Sequence, residues 1–161
     1  MNGKTPKPNG QERSAMSITS APGEKDLNTL LSTLTTHLHG EIYVFVTIPH
    51  SQPIPANILA SSATIMTFRE KEGLTIITTL QLAEEYGLKY VFRSRMITLE
   101  VQSSLEAVGF MAVVTKALAG KGIGCNPISA YFHDHLLVPE EKAKDAIAML
   151  REVAENAKRE D

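Results

Sequence analysis

Residues 96–129 read MITLEVQSSLEAVGFMAVVTKALAGKGIGCNPIS. Residues 96–101 alternate, with Ile97, Leu99 and Val101 on one side and Thr98 and Glu100 on the other, the period-two signature of a strand with one buried face. The loop SSLEAVG at 103–109 then leads into Phe110, Val113, Val114, Ala117 and Leu118, whose spacing predicts a helix that ends in the GKG at 120–122. A second strand over 123–131 contains Pro127, which has no amide to donate and therefore belongs at a sheet edge or bulge. The chain turns at 132–134, returns over 136–138 and closes with a helix that buries Ala143, Ile147, Leu150, Val153 and Ala157.

Upstream of this block the elements are similar in kind. Leu27, Leu30, Leu31 and Leu34 predict a helix from Asp26 to just before Gly40, which would place His37 and His39 on its last turns, two apart and on different faces. IYVFVTI at 42–48 is a strand covered on both sides, ended by Pro49. Residues 49–63, with Pro49, Pro53 and Pro55, read as an irregular connection. A hairpin of 64–69 and 74–78 turns over 70–73, where Arg69 and Glu70 read as a solvated turn. A short helix over 80–86 is closed by Gly87, and Arg93 and Arg95 are expected as linker charge. Residues 1–24, rich in proline, glycine and small polar residues, are expected to be a disordered arm. The expected organisation is that arm, a first half over 25–92 and a second over 93–161.

Composition bounds the function. With 43% hydrophobic residues the chain can fill a core, and 16 Lys plus Arg against 18 Asp plus Glu give no electrostatic case for nucleic acid or an anionic membrane. The single cysteine, Cys125, can form neither an internal disulfide nor a thiolate metal cage, and reads as a small buried apolar residue. The opening residues lack the apolar core of a signal peptide, and no run of 18 apolar residues occurs, so the cytoplasm is the expected compartment.

Taken together, the slot Glu106-Ala107-Val108-Gly109 between strand and helix and the run LAGKGIGCNPIS at 118–129 resemble the ACT domain family. There an acidic residue, any residue, proline and glycine commonly fill that slot; here Glu106 stands for the aspartate and Val108 for the proline. The blocks ATIMTFREKEGLTI at 63–76, ITLEVQSSLEAVGFMAVVTKALAGKGI at 97–123 and AYFHDHLLVP at 130–139 are similar to small proteins with two ACT-like units in tandem. The resemblance spans roughly residues 24–155. It implies an α+β, ferredoxin-like ACT fold: two ACT-like βαββαβ-type halves, with antiparallel sheets and helices on one face. It also implies a regulatory, non-enzymatic protein that binds a small molecule, above all an amino acid, without a cofactor.

The residues suggest where. A strand that feeds a helix through a glycine leaves amide groups free at the helix N-terminus, where an amino-acid carboxylate can dock. Ser103, Ser104, Leu105, Glu106, Ala107, Val108 and Gly109 therefore form the candidate ligand loop, with serine hydroxyls as donors and Glu106 facing the ammonium group. Asn126 and Ile128 join it from the neighbouring strand. The plainer alternative has Ser104 capping the helix, Glu106 complementing its dipole and Gly109 permitting close packing.

A rival site is the run His133-Asp134-His135, which could serve a metal-dependent enzyme, although no third ligand follows at recognisable spacing; its plain role is a hairpin turn in which Asp134 bonds backbone amides. A third possibility is a ligand-free module that forms a homodimer through its sheet edges.

Overall fold

The computed structural model describes residues 23–159. Along the chain lie α1 (Leu27–Ser32), β1 (Thr36–Pro49), α2 (Ala56–Ala60), β2 (Thr64–Arg69), β3 (Gly73–Thr79), α3 (Leu80–Glu85), β4 (Tyr90–Leu99), α4 (Phe110–Gly120), β5 (Asn126–Ser129), β6 (Asp134–Pro139), a 3-10 turn (Glu140–Lys142) and α5 (Ala143–Arg159). The strands form one six-stranded sheet in the order β2-β3-β1-β4-β6-β5, antiparallel throughout, with the helices on one side.

Side-chain alternation separates the two faces. On the helix side, Ile97 and Leu99 of β4 and Leu136 and Val138 of β6 pack with Leu30, Phe110, Val114, Leu118 and Leu150 under α1, α4 and α5. Val44, Val46 and Ile48 of β1 and Leu74 and Ile76 of β3 pack with Ile58 of α2 and Ala83 of α3. On the other side, Tyr43, Ile77, Met96 and Leu137 form a third cluster, bordered by Phe45, Phe92 and Ile128.

Three expectations need correction. The leucine pattern does mark a helix, but α1 stops at Ser32 and residues 36–39 already belong to β1, where Thr36, His37 and Leu38 pair with Leu99, Thr98 and Ile97. The Thr33 amide bonds back to the Leu31 and Thr29 carbonyls and ends the helix, and the β-branched residues Thr33, Thr35 and Thr36 favour extension. Gly40 therefore lies at a register shift of the β1–β4 ladder, not at a helix end.

Secondly, β4 starts at Tyr90, so Arg93 and Arg95 are strand residues rather than linker. The Arg93 Nε donates to Glu140 Oε2 at 2.9 Å, and the Arg95 Nε donates to the His39 carbonyl at 3.0 Å. The division at residues 92 and 93 thus falls inside a strand; Phe92, with φ of 56°, sits at a second register shift there.

Thirdly, the irregular stretch 49–63 contains the short helix α2, whose Ile58 is fully buried. The disordered arm expected over 1–24 lies outside the described residues except for its last two. Of these, Glu24 bridges Ser103 in parallel, and Gly23 runs so close to Ser103 and Ser104 that a Cβ there would come within 2.5 Å of the Ser104 amide nitrogen. Pro127 does lie at the sheet edge, in β5.

Candidate functional site

The loop 103–109 walls a cleft of about 160 Å³. Ser103, Ser104, Leu105, Ala107 and Gly109 line it on one side, the first turn of α4 (Phe110, Met111, Ala112) on another, and Ser129, Ala130 and Asp134 on the third. Gly109 is the N-cap of α4, with φ of 94°, a conformation open to glycine and strained for any other residue. It supplies no side-chain cap. The leading amides of α4 thus have no capping side chain, and the dipole of an eleven-residue helix adds to the positive potential there.

Asp134 forms the floor. It is only 7% exposed, and its carboxylate accepts from the Ser103 hydroxyl at 3.0 Å and, closely, from the Ser129 hydroxyl. The expected turn role, with Asp134 bonding backbone amides, is replaced by this pair of serine hydroxyls: Asp134 is the first residue of β6, so its side chain points across the sheet end rather than into its own turn.

Other proposed site residues lie elsewhere. Glu106 is exposed and paired with Lys25, which holds its carboxyl below the usual range, so it does not reach into the cleft. Val108, at 84% exposure, points to solvent. Ser104 does not cap α4; its hydroxyl accepts from the Glu106 amide at 3.2 Å. Asn126 and Ile128 face the sheet side opposite the helices, where Ile128 borders the Tyr43 cluster. The cleft-lining part of this segment is its far end, Ser129 and Ala130.

The His133-Asp134-His135 run splits because neighbouring strand side chains alternate. Asp134 faces the cleft, whereas His135 lies on the opposite face, with its Nδ1 2.9 Å from the Thr98 hydroxyl. His133 Nδ1 lies 3.4 Å from the Val101 carbonyl. Among the described residues no three His, Cys, Asp or Glu side chains group as a metal site. His37 and His39, expected on different faces of a helix, share a face of β1 with ring centroids 4.7 Å apart. His39 Nε2 is 2.8 Å from the same Thr98 hydroxyl. Burial, then the neighbouring histidines, lower the pKa of both His39 and His135. Burial also raises the Cys125 thiol, which keeps it protonated and poorly nucleophilic.

A larger groove of about 650 Å³ runs along Phe45–Pro49 and Gly87–Val91. Its lining is mostly apolar, with Thr47, Gln52, Thr75, Lys89 and Tyr90 as its polar side chains.

With this geometry in place, comparison with known proteins decides the family. The sequence matches the ACT domain over residues 22–95 and again over residues 91–152. The chain belongs to the ACT domain family. The two matches overlap in β4, the strand that this ACT protein threads through both of its halves.

A crystallised protein of unknown function from Vibrio cholerae, described as a possible transport protein, shares 38% identity over 80% of this chain and 95% of its own, with a TM-score of 0.70. A protein from Agrobacterium tumefaciens matches at 18% identity over 75% of this chain and 89% of its own, TM-score 0.61. The ligand-free regulatory subunit of aspartate kinase from Thermus thermophilus matches at 14% identity over 76% and 97%, TM-score 0.58; these last two likenesses concern the fold. No functionally curated protein matches the sequence. Among the described residues no helix is long and apolar enough to cross a membrane.

Proposed function

We propose that this ACT protein is a non-enzymatic regulatory module that binds a small zwitterion, an amino acid, in the cleft between loop 103–109, the start of α4 and Asp134. The observation that carries it is the pairing of opposite polarities across about 160 Å³: uncapped amides of α4 on one wall and a buried carboxylate on the floor. A simple anion would meet Asp134 and be repelled, and a simple cation would meet the helix dipole; a molecule with a carboxylate and an ammonium group satisfies both. Asp134, not Glu106, is then the residue that answers the ammonium group. The small volume favours short side chains.

Family membership and the fold shared with an aspartate kinase regulatory subunit support a regulatory role. Binding would tie the loop, α4 and β6 together, so the signal would be a change in association with a target or in a homodimer. A thermal-shift panel tests this: small amino acids at millimolar concentration should raise Tm, by RT ln(1 + [L]/Kd) in free energy, while acetate and methylamine should not. No shift with any amino acid, or an equal shift with acetate, defeats the proposal.

A further inference from the structure

We propose that the imidazole cluster on the open face of the sheet is a proton-operated latch on the Ser103–Ser129–Asp134 cleft floor, a regulatory role that rests on the cleft as the ligand site. The latch spans three adjacent strands. His37 and His39 come from β1, Thr98 from β4, and His133 and His135 from the start of β6 and the residue before it. One hydroxyl, Thr98 Oγ1, stands 2.8 Å from His39 Nε2 and 2.9 Å from His135 Nδ1. A hydroxyl has one proton, so it donates to one ring and accepts from the other. The bridge in this form requires that at least one of the two facing nitrogens carry no proton. Protonation of both rings aims two N–H donors at one oxygen, strips the hydroxyl proton of its acceptor and sets two cations on either side of it.

The surrounding charges are mixed. His37 and Glu41 face His39 from β1, and Glu100 faces it from the end of β4. His135 is acted on by His39 and by His133 and Asp134, the two residues preceding it. The histidines oppose one another's protonation, while the carboxylates favour it. The Arg95 guanidinium is turned to the His39 carbonyl, and β5 presents uncharged Ile128 opposite His135.

The connection to the cleft is short. Asp134 and His135 are consecutive in β6, and alternation sends one to each face, so displacing His135 moves the backbone that aims the Asp134 carboxylate. His133 adds a second tie, to the carbonyl of Val101, two residues before Ser103. Acidification that breaks the Thr98 bridge therefore loosens the floor to which both serine hydroxyls are tied.

An NMR pH titration of the full chain, with no ligand present, tests the latch. The imidazole resonances of His39 and His135 and the amides of Ser103, Ser129 and Asp134 should move with a shared midpoint. Thr98→Val should separate the two imidazole midpoints and silence the cleft amides, and His135→Gln, which leaves the bridge partly bonded without the second imidazole, should also silence the cleft amides. Cleft amides that do not follow the imidazoles in the wild-type protein overturn the latch. Repeating the amino-acid panel at pH 7.5 and 5.5 separates the two ideas: several-fold weaker binding at the lower pH supports the latch, and equal affinity overturns it. Should no amino acid bind at either pH, the cleft assignment fails and the ligand-free titration alone decides whether the latch exists.

Discussion

Replacing Asp134 by asparagine separates the structural from the binding role of this carboxylate. In the native protein Asp134 is 7% exposed and accepts from two serine hydroxyls. A hydrogen bond to a charged acceptor contributes about 2 kcal/mol and a neutral one about 1 kcal/mol, so downgrading two costs about 2 kcal/mol. The asparagine amide also turns a donor toward one serine, which must rotate its own proton away. For a protein of this size a loss of about 2 kcal/mol lowers Tm by about 4–8 °C, readable by calorimetry at pH 7.5. The same variant should lose the stabilisation by amino acids, because the ammonium group no longer meets a charge. Ser103→Ala deletes one of the two bonds to the charged acceptor outright and by the same figures should cost about 2 kcal/mol as well, while retaining ligand response. A variant with unchanged Tm would refute the serine–carboxylate network as a source of stability; one that keeps the full amino-acid response would refute Asp134 as the ammonium partner.

Other perturbations give distinct outcomes. Gly109→Ala combines a positive φ with a Cβ placed 3.3 Å from Leu27 Cδ2, and should cost about 1–3 kcal/mol in urea unfolding while shifting the α4 amides in NMR spectra. Leu150→Ala, in the centre of the α5 packing face and fully buried, should cost about 2–5 kcal/mol by the same measurement. The depressed pKa values of His39 and His135 mean that the unfolded chain takes up protons before the folded one; their contribution is present above pH about 6.5 and declines as pH falls through the lowered values, so urea midpoints should drop on acidification in that window and drop less in a His39→Gln, His135→Gln double variant. Glu106→Gln, whose partner Lys25 is also exposed, should leave both Tm and amino-acid response unchanged, whereas a lost response would return Glu106 to the site.

The sequence by itself determined the elements with strong local signals. Alternation at Ile97 and Leu99, helical spacing from Phe110 to Leu118, the Gly109 turn and the edge proline Pro127 are all local properties, and each appears where its period or backbone restriction requires. The leucines of α1 were equally visible, but the extent of the helix was not. Thr36–Leu38 become strand because Leu99–Ile97 offers a ladder from more than 50 residues away, which no local window contains.

The candidate site divides the same way. Its loop and helix start could be read from SSLEAVG, while Asp134 and Ser129 enter only because β5 and β6 bring their ends beside that loop. Likewise the spacings His37-x-His39 and His133-x-His135 put two imidazoles on one strand face each, a signal present in the sequence once those segments are taken as extended. That both reach the hydroxyl of Thr98 was settled by strand order: β4 lies between β1 and β6, and sheet pairing at long range, not residue spacing, fixes which side chains meet.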